Sequence, residues 1–289
     1  MNKILILLSI LTFGPLFSQI DNTIYPVDSS LYKTKTIKGT LKTIEWESKS
    51  MQELRNITIY EPVGFHKDSI YNVVIVTDNQ AEALANALES KIISHEIKPL
   101  LIIGVNNREP QAIDSIYGKS KIDFRSSEML GIQYVGSDEI DFSNQDLVKL
   151  LSNRVSKFCD FIAIEISNYI TEHYNTIPKN TWTLGGFSNG GAIVVHISTT
   201  HPNSFGYIIS MSPGGSLEER NNFDYSETKS KYFVCAGTNE KSFHKSSLKL
   251  VKVLKANGIE FEHKSFNTGH DYNMWLTYYV EVLSSVYKI

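Results

Sequence analysis

Cysteine is nearly absent from this sequence: 289 residues contain only Cys159 and Cys235. Two cysteines make no disulfide framework, and no Cys/His spacing resembles a zinc site. Both fall in apolar, regular patterns without a neighbouring histidine, which predicts small buried residues and not nucleophilic thiols. An excess of one charge is also missing. Lys and Arg number 28 against 31 Asp and Glu, a net of −3. That excludes a global polycation built for nucleic acid or an anionic membrane surface. No apolar run reaches the ~20 residues of a membrane span, and repeats and low-complexity tracts are lacking. No motif calls for a metal or a cofactor.

What remains is ordinary globular composition, 42% hydrophobic and 20% charged, in a length that suits one large α/β domain or two small ones. The first residues differ. Lys3 gives a positive start, Ile4 to Leu11 are apolar, and the run continues through Phe13, Leu16 and Phe17 to the polar pair Ser18-Gln19. This is the layout of a secretory signal peptide over residues 1–18, with a buried N-terminal strand or helix as the alternative. The expected protein is exported, periplasmic or secreted. Residues from about Ile20 to Lys38 are polar and turn-rich and read as a loosely tied leader.

Periodicity then alternates between strand and helix. Leu41, Ile44 and Trp46, followed by Ile57 and Ile59 with flanking Arg55, predict two half-buried antiparallel strands. Tyr71 to Thr77 and Pro99 to Val105 are β-branched runs without a polar face, the mark of parallel strands covered on both sides. The segment Ala81 to His95 between them is helical, completing a strand-helix-strand unit. Residues 106–150 are irregular and predict an insertion or lid. Phe158, Phe161, Ile162, Ile166, Tyr169, Ile170 and Tyr174 recur at helical steps. Thereafter strands near 181–184, 205–211, 232–236 and 259–265 alternate with helices near 192–200, 246–256 and 274–287. The expected fold is α/β, a doubly wound, mainly parallel sheet behind an antiparallel N-terminal strand pair.

Gly186-Phe187-Ser188-Asn189-Gly190 lies between an apolar strand and a helix. A serine hydroxyl needs a base to take its proton and a backbone that presents it to substrate. The glycines two positions either side leave room for a tight nucleophile elbow, the α/β-hydrolase device. The helix N-terminus favours negative charge there, and the Asn189 N–H is a candidate oxyanion donor. Chain order in this fold is serine, acid, histidine. His270, after a strand and before the last helix, is the candidate base, while His263 reads as a sheet-face residue. Acid candidates between the two are Glu218, Glu219, Asp224, Glu227, Glu240, Glu260 and Glu262. Glu240 follows a strand at the edge where such sheets carry their sites and ranks first, with Asp224 second. A pair working without an acid also stays open. Asp271 reads as a structural neighbour of His270.

Several segments together resemble one esterase family, that of enterochelin esterases, feruloyl and acetyl-xylan esterase domains, S-formylglutathione hydrolases and mycolyltransferases. They are Val74 to Gln80, Arg125 to Glu128, Gly185 to Gly191 with His201 to Gly206 and Ser210 to Pro213, Gly237 to Glu240, and Gly269 to Trp275. The likeness runs from Tyr71 to Trp275 and more loosely from Gly39. It implies an α/β-hydrolase fold over 19–289, with Ser188, Glu240 and His270 as triad. It also implies the Gln80 N–H as a second oxyanion donor. Asn79 stands where the family usually has Gly, and Asn189 where Met is common. Arg125 suits an anionic or polyhydroxyl substrate group, or else braces a loop.

The expectation is serine-dependent hydrolysis of a carboxylic ester, siderophore-type, carbohydrate-linked or a small aryl ester. Acyl transfer by the same triad, or a non-catalytic binding module on the same scaffold, are the alternatives.

Overall fold

A computed structural model describes residues 20–32, 36–108, 122–136, 141–215 and 222–289. The expected signal peptide, much of the 106–150 insertion, and the acid candidates Glu218 and Glu219 lie outside the described residues.

The apolar runs form the strands that their composition predicts. In chain order the strands are β1 (Ile24–Tyr25), β2 (Thr40–Ser48), β3 (Glu53–Glu61), β4 (Asn72–Thr77) and β5 (Leu100–Val105). They continue with β6 (Thr183–Phe187), β7 (Tyr207–Met211), β8 (Lys231–Gly237) and β9 (Phe261–Phe266). They build one sheet in the order β1-β9-β8-β7-β6-β4-β5-β3-β2. β3 runs antiparallel to both its neighbours, and the pairs from β5 across to β1 are parallel.

Helices cover both faces. They are α1 (Ala81–Ile93), α2 (Phe124–Met129), α3 (Gln145–Leu151), α4 (Arg154–Asp160) and α5 (Ser167–His173), followed by α6 (Asn189–Thr200), α7 (Ser242–Ala256) and α8 (Tyr272–Val286). α4 and α5 are joined by a π-helical turn over Phe161–Ile166, so the single predicted amphipathic helix carries one wider turn. Val73 and Ile75 pack with Phe158, Ile162 and Ile193 on one face of the sheet. Val74 and Val76 pack with Leu84, Leu88, Tyr279 and Leu283 on the other. Alternate residues of a strand point to opposite faces, and both faces of β4 are buried, which is why the run has no polar face. The architecture is the α/β-hydrolase fold.

Two expectations are corrected. The leader is not loose: β1 pairs with β9, Ile24 opposite Ser265 and Tyr25 opposite Phe266. The Asp28 N–H donates to Thr277 Oγ1 at 3.1 Å, and the Lys38 and Gly39 N–H groups donate to the Glu89 carboxylate at 2.9 and 2.7 Å. An open sheet edge needs a partner for its backbone groups, and polar leader residues supply one as well as apolar residues do. β3 is also more than half-buried. Arg55 is 2% exposed and bonds the Glu128 carboxylate at 2.7 and 3.0 Å. Glu128 is itself completely buried and also takes a bond from Arg154. Glu53 bonds Arg55, Arg108 and Arg154, closing a charge cluster that pins the start of the insertion, α2 and α4 to the sheet. Beside it Ile122, Phe124, Val135, Leu147 and Leu151 form a small apolar cluster of the insertion's own.

Among the described residues no helix is long and apolar enough to cross a membrane. Cys159 and Cys235 are buried and unpaired, and burial pushes the Cys159 thiol up to about 12.

Candidate active site

β6 ends at Phe187 and α6 begins at Asn189, leaving Ser188 alone to make the turn. Its φ of 55° and ψ of −123° are a strained conformation for a residue with a Cβ. The turn is possible because its neighbours are glycines. A Cβ on Gly186 would overlap the Gly190 carbonyl, and one on Gly190 would overlap Thr77 Oγ1. The Ser188 N–H is held by the Met211 carbonyl at 2.9 Å, and the Ser188 carbonyl accepts from Gly214 N–H at 2.9 Å.

His270 follows β9 and precedes α8. Its Nδ1 lies 2.9 Å from Glu240 Oε1, so the sequence's first choice of acid is the carboxylate that meets the imidazole. Glu240 ends a short 3-10 turn, Thr238–Glu240, directly after β8. Its side chain is wholly buried, and it also accepts from Ser212 Oγ at 2.8 Å and from Gly237 N–H at 3.1 Å. Those donors satisfy a carboxylate withdrawn from water. The other acid candidates lie elsewhere. Asp224 is exposed and accepts from Ser226 N–H, Glu260 and Glu262 pair with Lys231, and Glu227 is exposed. His263 is buried in β9, as its alternation predicts, and burial helped by His244 lowers its pKa to about 4.

Aromatic rings hold the imidazole from two sides. The Phe243 ring centre lies 4.3 Å from its centre, and the Trp275 ring stands nearly perpendicular to it at 4.6 Å. Trp275 in turn stacks on Phe187, the residue before Ser188, at 4.0 Å. Its Nε1–H donates to Ser212 Oγ at 2.9 Å. Ser212 therefore joins the acid to the ring beneath the base. Sequence reasoning gave Ser212, Phe243 and Trp275 no role of their own. The signal for Ser212 is its place just past β7, at the sheet edge that carries the site. Asp271 serves α8, accepting from Asn273 N–H at 2.9 Å as its N-cap.

The turn after β4 faces the elbow. Asp78 and Asn79 both have left-handed φ, 58° and 51°, and Gln80 opens α1. Gln80 Nε2 donates to the Asp78 carbonyl at 2.7 Å, and its side-chain oxygen accepts from the Tyr272 hydroxyl. Asn189 Nδ2 reaches Ser126 Oγ at 3.2 Å. Arg125, read as a substrate contact or a loop brace, bonds Asp78 through Nε at 2.5 Å and Nη2 at 2.9 Å. Among the described residues no group of three or more His, Cys, Asp or Glu side chains could hold a metal ion.

Residues 48–279 match the family described as Putative esterase. The chain belongs to this esterase family. Ester hydrolysis is accordingly its general reaction class. Solved structures share the fold at low sequence identity. A ferulic acid esterase from Anaeromyces mucronatus, solved with ferulic acid, superposes with a TM-score of 0.64 at 17% identity, over 92% of this chain and 98% of its own. The enterochelin esterase of Shigella flexneri gives 0.62 at 14% identity, over 85% of this chain and 57% of its own. The BES protein from Bacillus cereus gives 0.64 at 19% identity, over 89% and 99%. Comparison with curated protein sequences gives no significant match.

Proposed function

We propose that this esterase works by acyl-enzyme chemistry on Ser188. His270 Nε2 takes the Ser188 proton as Oγ bonds to the ester carbonyl carbon. The Asn189 and Gln80 N–H groups receive the oxyanion. The carbon–alkoxy bond then breaks and His270 returns its proton to the departing alcohol. Water attacks the acyl group, loses its proton to His270 and releases the acid and free serine. Glu240 holds the Nδ1–H tautomer and stabilises the imidazolium.

The observation that carries this reading is the strained Ser188 turn, joined through the Phe187 and Trp275 rings to an imidazole whose Nδ1 is bonded to a buried carboxylate. Phe187, Phe243, Tyr272 and Trp275 make the surroundings aromatic, which favours an ester with an aromatic acyl group. A carbohydrate-linked hydroxycinnamoyl ester and a catecholate siderophore ester both meet that requirement. We further propose that residues 1–18 direct export, which places the enzyme where such polymers and chelators are found.

Ser188→Ala tests the mechanism. It is expected to abolish turnover of p-nitrophenyl acetate and labelling by a fluorophosphonate while the melting temperature is kept. Turnover at the wild-type rate would reject Ser188 as nucleophile.

A further inference from the structure

Two successive non-glycine residues, Asp78 and Asn79, stand in the left-handed region at the turn that leads into Gln80. Such backbone persists only where its surroundings over-determine it. The Asn79 N–H bond to the Val105 carbonyl at 3.1 Å holds one side. The Asp78 carboxylate holds the other, and its position ties it to the elbow as well. A Cβ placed on Gly190, in the first turn of α6, would stand 2.9 Å from Asp78 Oδ2. Asp78 side-chain exposure is 11%, so an unpaired carboxylate there would be costly.

Arg125 meets this carboxylate with a two-point fork, Nε on Oδ1 and Nη2 on Oδ2. The same Nη2 lies 3.5 Å from the Phe187 carbonyl, in the peptide that leads into Ser188. One guanidinium therefore touches both the turn before Gln80 and the end of β6. Arg125 itself belongs to α2, whose Asp123 N-cap accepts from Ser126 N–H at 2.9 Å and whose Glu128 is bonded to Arg55. The planar fork fixes orientation as well as distance, which a lysine ammonium cannot do.

We propose that Arg125 is a positioning residue: through Asp78 it sets the spacing between the two turns whose N–H groups receive the oxyanion. The proposal rests on the Ser188 mechanism above. The Nε and Nη2 donors of Arg125 are committed to Asp78 and to the Phe187 carbonyl, so these three bonds serve the protein and not the substrate.

The test is steady-state kinetics of Arg125→Ala and Arg125→Lys on p-nitrophenyl acetate. Loss of a well-placed oxyanion donor costs about a hundredfold in kcat or more. Arg125→Ala is therefore expected to lower kcat by about that factor with KM nearly unchanged. Arg125→Lys should fall between it and the wild type. Guanidinium at non-denaturing concentration is expected to restore part of the lost rate in Arg125→Ala, and none in Ser188→Ala. A rise in KM with kcat retained would make Arg125 a substrate contact and overturn the proposal, as would wild-type kcat in both variants. If circular dichroism shows Arg125→Ala unfolded, Arg125→Lys and Asp78→Asn carry the same split between kcat and KM. Full turnover by Ser188→Ala would instead defeat the mechanism itself, whereas a dead Ser188→Ala with unaffected Arg125 variants defeats only this inference.

Discussion

Trp275 lies flat against Phe187, with ring planes 8° apart, while it stands nearly perpendicular to the His270 ring. The last helix thus reaches under the base and touches the strand that carries the nucleophile. Its indole N–H is also spent on Ser212, which bonds the acid. One side chain fixes the relative positions of all three candidate catalytic groups.

Trp275→Phe keeps a ring on Phe187 and deletes the N–H. A buried hydrogen bond contributes about 1 kcal/mol, and a misplaced base costs more in rate than in stability. We expect kcat to fall about tenfold, with a loss near 1 kcal/mol by urea denaturation. Unchanged kcat would remove Trp275 from the positioning of His270.

Glu240→Gln keeps the shape of the acid and loses its charge. In triads of this type such a change lowers turnover by about a thousandfold or more. Asp224→Asn, on an exposed loop, is expected to leave kcat within about twofold. Equal effects from the two substitutions would reject Glu240 as the acid.

Glu128 is buried between Arg55 and Arg154. Burial alone would raise its pKa, but the two guanidiniums prevail and hold it below the usual carboxylate value. Glu128→Ala leaves Arg55, Arg108 and Arg154 with the single Glu53 carboxylate between them and is expected to cost about 3–5 kcal/mol in urea denaturation. A loss under about 1 kcal/mol would show that water reaches the cluster.

His263 gives the protein an acid-sensitive core. The ring ionises near its ordinary 6.5 when unfolded and at about 4 when folded, because burial, and then His244, disfavour its charge while Asp21 opposes them weakly. The unfolded chain therefore binds the extra proton first. Stability from this source is undiminished above pH 6.5, falls as pH drops toward 4, and levels off below, a total of roughly 3 kcal/mol. His263→Leu is expected to flatten this part of the pH dependence of the urea midpoint. An identical slope in the variant would assign it to other groups.

The parallel core was legible because β4 and β5 carry no polar face. The elbow was legible because Gly186 and Gly190 are forced by contact. Glu240 could be chosen because a strand end precedes it, and its meeting with His270 follows from the order of strands in the sheet. Other features left no local signal. Arg55 looks like a solvated charge until Glu128, 73 residues away, is brought beside it. The leader's attachments use backbone groups that every residue possesses. Ser212 is one serine among many until β7 ends beside Glu240.

β1 has a consequence for how the chain is made. Ile24 and Tyr25 are synthesised long before their partners Ser265 and Phe266. β1 must wait, unpaired, until β9 has been made, so this edge of the sheet closes late in folding. When it closes, it ties two distant stretches of the polypeptide into one edge.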